Sequence, residues 1–112
     1  MTKLECIIRP DRLDKVKETL DRFGHHGMTV SQVMGCGSQR GWTEVYRGVE
    51  TPINLLPKVK VEVVLKDEEV EQVVQLICEA AQTGEIGDGK IFIYPVANAV
   101  RIRTREAGES AL

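Results

Sequence analysis

The chain repeats itself. Leu4-Glu5-Cys6-Ile7-Ile8-Arg9 and Val61-Glu62-Val63-Val64-Leu65-Lys66 follow one pattern of apolar and charged residues, 57 positions apart from Leu4 to Val61. The same offset carries Leu13, Val16 and Leu20 onto Val70, Val73 and Ile77. In each half a short apolar strand is followed by a helix with one buried face, because residues three and four apart share a side of a helix. Two such halves pair as a four-stranded antiparallel sheet carrying both helices on one face.

The expected fold class is therefore α+β, a ferredoxin-like β-α-β-β-α-β sandwich in one domain over residues 1–112. Residues 4–8 read as the first strand. Asp11 is placed to cap the first helix with Asp14 in a capping-box position, and Gly24 to end it. Residues 29–36 read as the second strand. From Lys58 to Leu65 the alternation is clean, with Val59, Val61 and Val63 on one face and Lys58, Lys60 and Glu62 on the other. Asp67 is the expected cap of the second helix, whose apolar face is Val70, Val73, Val74, Ile77 and Ala81, and Gly84 its stop. Residues 91–94 read as a further strand, and residues 100–103 as a short edge strand that opens the C-terminal segment 96–112. The second sheet face needs a cover that the chain has no residues left to supply, which makes another subunit the expected partner.

Bulk properties exclude several classes. A net charge of -2 gives no basic field for nucleic acid or an anionic membrane, and aromatics at 4% are too few for base-stacking surfaces. Apolar runs all fall short of the roughly 20 residues that cross a bilayer, and the N-terminus lacks the apolar core of a signal peptide. Cys6, Cys36 and Cys78 are odd in number and widely spaced, which suits a reducing, cytoplasmic setting. No metal-ligand spacing, carboxylate pair or nucleophile–base arrangement stands out. His25 and His26 are adjacent and read as turn residues.

Two regions depart from a plain sandwich. Residues 37–57 form a long connection without clear period, holding the single tryptophan Trp42 together with Arg40, Glu44, Tyr46, Arg47 and Glu50. A loop of that length in so small a domain is usually functional. The second region, residues 83–90, is glycine-rich. Gly84-Glu-Ile-Gly-Asp-Gly89-Lys90 approaches a Walker A pattern, but Ile91 stands where Ser or Thr must bind Mg²⁺, and the segment leads from helix to strand, the reverse of a P-loop. A P-loop NTPase is rejected. What survives is a turn where Gly87 and Gly89 allow close backbone approach and Lys90 supplies charge for an anion; an ordinary αβ turn fits the same residues. Arg101 and Arg103, two apart on the expected edge strand, would project together and suit phosphate oxygens, unless they pair with Glu106 or Glu109. Lys58 and Lys60 make a second same-face pair. Together these fit a polyphosphate site as well as they fit an ordinary turn with solvated pairs.

Read jointly, Thr43-Glu-Val-Tyr-Arg-Gly48, Leu56-Pro-Lys-Val-Lys60, Thr83-Gly-Glu-Ile-Gly-Asp-Gly-Lys-Ile-Phe92 and Val100-Arg-Ile-Arg-Thr104 resemble the PII nitrogen-regulatory signal-transduction family over essentially the whole chain. The resemblance implies a cytoplasmic, non-enzymatic homotrimer that binds ATP or ADP in clefts between subunits. Ile7, Thr29, Glu62 and Val64 would surround adenine and ribose. Gly37, Ser38, Gly87, Asp88, Gly89 and Lys90 would hold the phosphates, with Arg101 and Arg103 reaching from the neighbouring subunit. It further implies that 2-oxoglutarate binds with Mg²⁺ beside ATP. Gln39 would be the metal ligand, Lys58 the partner of the dicarboxylate, and Arg40 and Gly41 backbone contacts. Residues 37–57 correspond to the family's T-loop. Trp42, Tyr46 and Arg47 would meet an ammonium transporter or other nitrogen-metabolism enzymes and regulators, so that membrane contact comes only through a protein partner.

Four positions depart from the family pattern. Thr51 replaces a tyrosine that many members modify, Val49 a serine phosphorylated in some, Ser38 an arginine common beside the phosphates, and Arg40 a common lysine whose charge it keeps. The rival reading is a small ferredoxin-like, nucleotide-using phosphotransferase, which would need a base or nucleophile near Lys90 and Arg101.

Overall fold

A period of two in apolar residues sets the sheet. A computed structural model describes residues 1–25, 27–36, 42–46, 49–53 and 55–112, with backbone alone between 42 and 53. Strands β1 (Thr2–Ile8), β2 (Thr29–Gly35), β5 (Leu56–Leu65) and β6 (Lys90–Pro95) form one sheet in the order β2-β5-β1-β6, all neighbours antiparallel. The first strands of the two repeats are thus the central pair. Cys6 faces Val61 and Leu4 faces Val63 across it.

Helices α1 (Leu13–Phe23) and α2 (Val70–Ala81) cover one face. Leu4, Cys6 and Ile8 of β1 and Val59, Val61, Val63 and Leu65 of β5 pack against Val16, Leu20, Val73, Ile77 and Ala81 in a single buried cluster. Each helical core position expected from the repeat lies in or directly against this cluster.

The opposite face is not the apolar surface that a need for cover suggests. Glu5 pairs with Lys60 at 3.4 Å and accepts the Tyr94 hydroxyl at 3.0 Å; Lys3 pairs with Glu62 at 3.5 Å and lies 4.8 Å over the Tyr94 ring. These are cross-strand neighbours on three strands, and Ile7, Val33, Val64 and Phe92 fall between them by register.

Local signals were partly misread. Pro10–Arg12 is a 3₁₀ turn, and α1 begins at Leu13 with no side-chain cap, so Asp11 is not its N-cap. Proline at the first position sets the helical φ and lacks the N–H that a cap would satisfy. Gly24 does end α1, at φ 102°. At the second helix a 3₁₀ turn again comes first, Asp67–Glu69. Glu69 accepts the Lys66 N–H at 3.2 Å, while Asp67 instead accepts the Thr2 hydroxyl at 2.5 Å and the chain's amino group at 3.2 Å. Gly84 does not stop α2, which ends at Ala81 with Gln82 already extended. Residues 37–57 also contain regular structure: β3 (Trp42–Tyr46) and β4 (Val49–Ile53) pair antiparallel, with Tyr46 opposite Val49. A two-residue connection ending in Gly48 is a hairpin signal that the irregular alternation concealed. The expected edge strand over residues 100–103 reduces to one bridge, Val100 to Ala107, followed by a turn.

Leu20 is 1% exposed in the layer between sheet and helices. Leu20→Ala should lower unfolding free energy by about 2–5 kcal/mol, lost transfer energy plus an unfilled cavity, read by urea unfolding at fixed protein concentration.

Candidate functional site

The turn between α2 and β6 is organised by one carboxylate. Asp88 accepts the Thr83 N–H at 2.7 Å and the Gly84 N–H at 2.9 Å through one oxygen, and through the other the Thr83 hydroxyl and Arg9 Nε at 3.0 Å. Arg9, which directly follows β1, also donates to the Ile86 carbonyl at 2.9 Å. The donors explain the titration: the Thr83 hydroxyl first, then its amide, then Arg9 hold the Asp88 carboxyl far below the usual range.

These bonds give the Asp88 carboxylate a shaping role inside the turn. Arg9 and Thr83, which the composition of the turn did not single out, do the shaping with it. The signal was present as Thr83 followed five residues later by an acid, a side-chain-to-backbone turn pattern.

Glycine is required at two points. Gly87 and Gly89 hold φ of 103° and 100°, a region that costs other residues strain. A Cβ on Gly89 would stand 1.7 Å from the Ile7 carbonyl oxygen. The turn therefore lies directly on β1.

Two lysines join it. Lys58 on β5 donates to the Gly87 carbonyl at 2.6 Å, and Lys90 opens β6 opposite Ile7. Burial, and then repulsion from Arg9, lower the Lys58 pKa. Ser31, Lys60, Ile7 and Lys90 form one rung across the sheet. By register Ile7, Thr29, Lys58, Glu62, Val64 and Lys90 all lie on the face away from the helices. Glu62 is opposite Thr29 and ion-paired to Lys3.

Other expected residues are not gathered here. Arg101 and Arg103 lie in a turn rather than on a strand, so the same-face argument for them fails; Arg101 pairs with Glu106 at 3.3 Å. Gly37, Ser38, Gln39, Arg40, Gly41 and Arg47 lie outside the described residues, as do the side chains of Trp42 and Tyr46. Lys60 belongs to the Glu5 pair rather than to the turn.

Burial pushes the Cys6 thiol up to about 12, which leaves it without thiolate at neutral pH. His25 stacks on Phe23 and meets Glu69 at 2.8 Å, joining the end of α1 to the start of α2; His26 lies outside the described residues. Among the described residues no group of three or more His, Cys, Asp or Glu side chains could hold a metal, and no helix is long and apolar enough to cross a membrane.

Gly89→Ala should destabilise beyond the roughly 1–3 kcal/mol that a strained left-handed residue costs, because β1 must also move. Asp88→Asn should speed amide exchange at Thr83 and Gly84. The Asp88 pKa is depressed in the fold, so its contribution is complete above about pH 4 and declines as pH falls toward the lower folded value. The stability gap between the unsubstituted protein and Asp88→Asn should accordingly narrow below pH 4 in acid unfolding.

The sequence profile of the family described as Nitrogen regulatory protein P-II matches residues 1–106. Curated relatives named Nitrogen regulatory protein P-II from Pasteurella multocida and Rhodospirillum rubrum are 54% and 52% identical over 112 residues, covering all of both chains. Nitrogen regulatory protein P-II 2 from Methanothermobacter thermautotrophicus is 54% identical over 112 residues, all of this chain and 97% of that protein. With a match along nearly its whole length, the chain belongs to the nitrogen regulatory P-II family, whose members are signalling regulators and not enzymes.

Proposed function

We propose that this regulator senses ATP and ADP at clefts between three subunits, binds 2-oxoglutarate with Mg²⁺ beside ATP, and signals to partners such as an ammonium transporter through residues 37–57. One observation carries the reading. Lys58 donates to the Gly87 carbonyl at 2.6 Å beside a turn whose Gly87 and Gly89 hold left-handed backbone, and Lys90 opens β6 next to it. Two ammonium groups beside glycine backbone offer an anion both charge and close approach.

The division of labour follows from the chemistry. Phosphate oxygens suit the backbone of the glycine turn and Lys90, with Arg101 and Arg103 from a neighbouring subunit. A dicarboxylate suits the ammonium of Lys58. Mg²⁺ wants hard oxygen ligands, and the Gln39 amide alone is too few, so triphosphate and keto-acid oxygens must complete the set. The phosphotransferase alternative finds no support in the family.

Calorimetry supplies the test. ATP should bind alone, and 2-oxoglutarate only once ATP and Mg²⁺ are present; strong 2-oxoglutarate binding to the ligand-free protein would overturn the scheme. Lys58→Ala should abolish the 2-oxoglutarate response and keep ATP binding, whereas replacing Arg101 and Arg103 together should weaken ATP with little change in folding.

A further inference from the structure

The segment after β6 closes on itself. Asn98 Oδ1 accepts the N–H groups of Ala99 at 2.9 Å and Gly108 at 3.0 Å, Val100 bridges to Ala107, and the Arg101 N–H donates to the Glu106 carbonyl at 2.8 Å. Inside this loop the Arg101 guanidinium is engaged twice. It donates to Glu106 Oε1 at 3.3 Å and to the Leu112 main-chain oxygen at 3.2 Å. Arg103, two residues on, is exposed.

We infer that Glu106 is a built-in competitor for phosphate: its carboxylate holds the Arg101 guanidinium, and a bound nucleotide takes that guanidinium over. The inference rests on the nucleotide reading above. A carboxylate and a phosphate are rival acceptors for the same planar fork of N–H donors. The Arg101 and Glu106 side chains are 37% and 44% exposed, so the pair is held in solvent and is weak. It therefore taxes binding instead of blocking it, and Glu106 returns to water at little cost when displaced. A polyphosphate anchored elsewhere on the glycine turn outcompetes it; a ligand without phosphates has nothing to offer Arg101. Glu106 is thus a residue that lowers affinity for phosphate-bearing ligands and leaves ligands without phosphates unaffected.

The experiment compares ATP and adenosine binding, by calorimetry, to the full chain and to Glu106→Gln, Glu106→Ala, Glu109→Gln, Arg101→Ala and the Arg101→Ala/Glu106→Gln pair. Removing the Glu106 charge should tighten ATP about two- to fivefold, the range of one exposed ion pair, and less at high salt. Adenosine binding should not respond, Glu109→Gln should match the unsubstituted chain, and the gain should vanish when Arg101 is absent. Unchanged ATP affinity in both Glu106 variants, or an equal gain without Arg101, overturns the competitor role and leaves the nucleotide reading standing. Failure of the unsubstituted chain to bind ATP overturns both.

Discussion

The Asp88 carboxylate ties together segments that the sequence holds far apart. It closes the backbone that leaves α2 through Thr83 and Gly84, and it anchors Arg9 at the end of β1. Five residues separate Thr83 from Asp88, but 79 separate Arg9 from it. The Thr83 and Gly84 bonds are local, whereas the Arg9 bond joins this turn to the first half of the repeat. Gly89 then lies against the Ile7 carbonyl, which fixes the height of the turn on the sheet. Any chemistry at Gly87 or Lys90 depends on that placement.

The same logic explains why the sheet face beyond the helices is charged. Lys3, Glu5, Lys60 and Glu62 satisfy one another across three strands, with Tyr94 bridging Glu5 and Lys3. Such pairs add little stability at a solvated surface. Their value lies in geometry. A face whose charges are already matched can be covered by a second protein surface without stranding an ion, whereas unpaired charges could not. In the proposed trimer this lattice would let subunits approach while Ile7 and Val64 supply apolar area for a base.

Much of the architecture was legible because it rests on periodicity. The offset that carries Leu13, Val16 and Leu20 onto Val70, Val73 and Ile77 predicted both helices and the face each buries. Val59, Val61 and Val63 predicted the inward face of β5. Features set by single contacts were not legible. Asp11 and Asp67 look like caps, yet Pro10 pre-empts the first and the amino terminus captures the second. Residues 100–103 read as an edge strand that would align Arg101 with Arg103, but a single bridge at Val100 and the Arg105 N–H donating to the Arg101 carbonyl at 2.7 Å make it a turn. The family resemblance alone placed Asp88 at the phosphate site, and the bonds its carboxylate makes inside the turn were not legible in the sequence.

Lys58 is where the proposed signals would meet. Its ammonium touches the Gly87 carbonyl at 2.6 Å, so the residue suited to a dicarboxylate is bonded to the turn suited to phosphates. Any ligand that draws Lys58 away must break that bond, and any ligand that reshapes the turn must change the position of Lys58. Because binding free energies are linked, each such effect is returned in equal measure. Lys58 also lies only two residues into β5, at the foot of the connection that holds the β3–β4 hairpin. In the proposed scheme a change at this one ammonium would act on the turn and on the strand that follows the hairpin, so coupling between ligand and partner would need no remote relay.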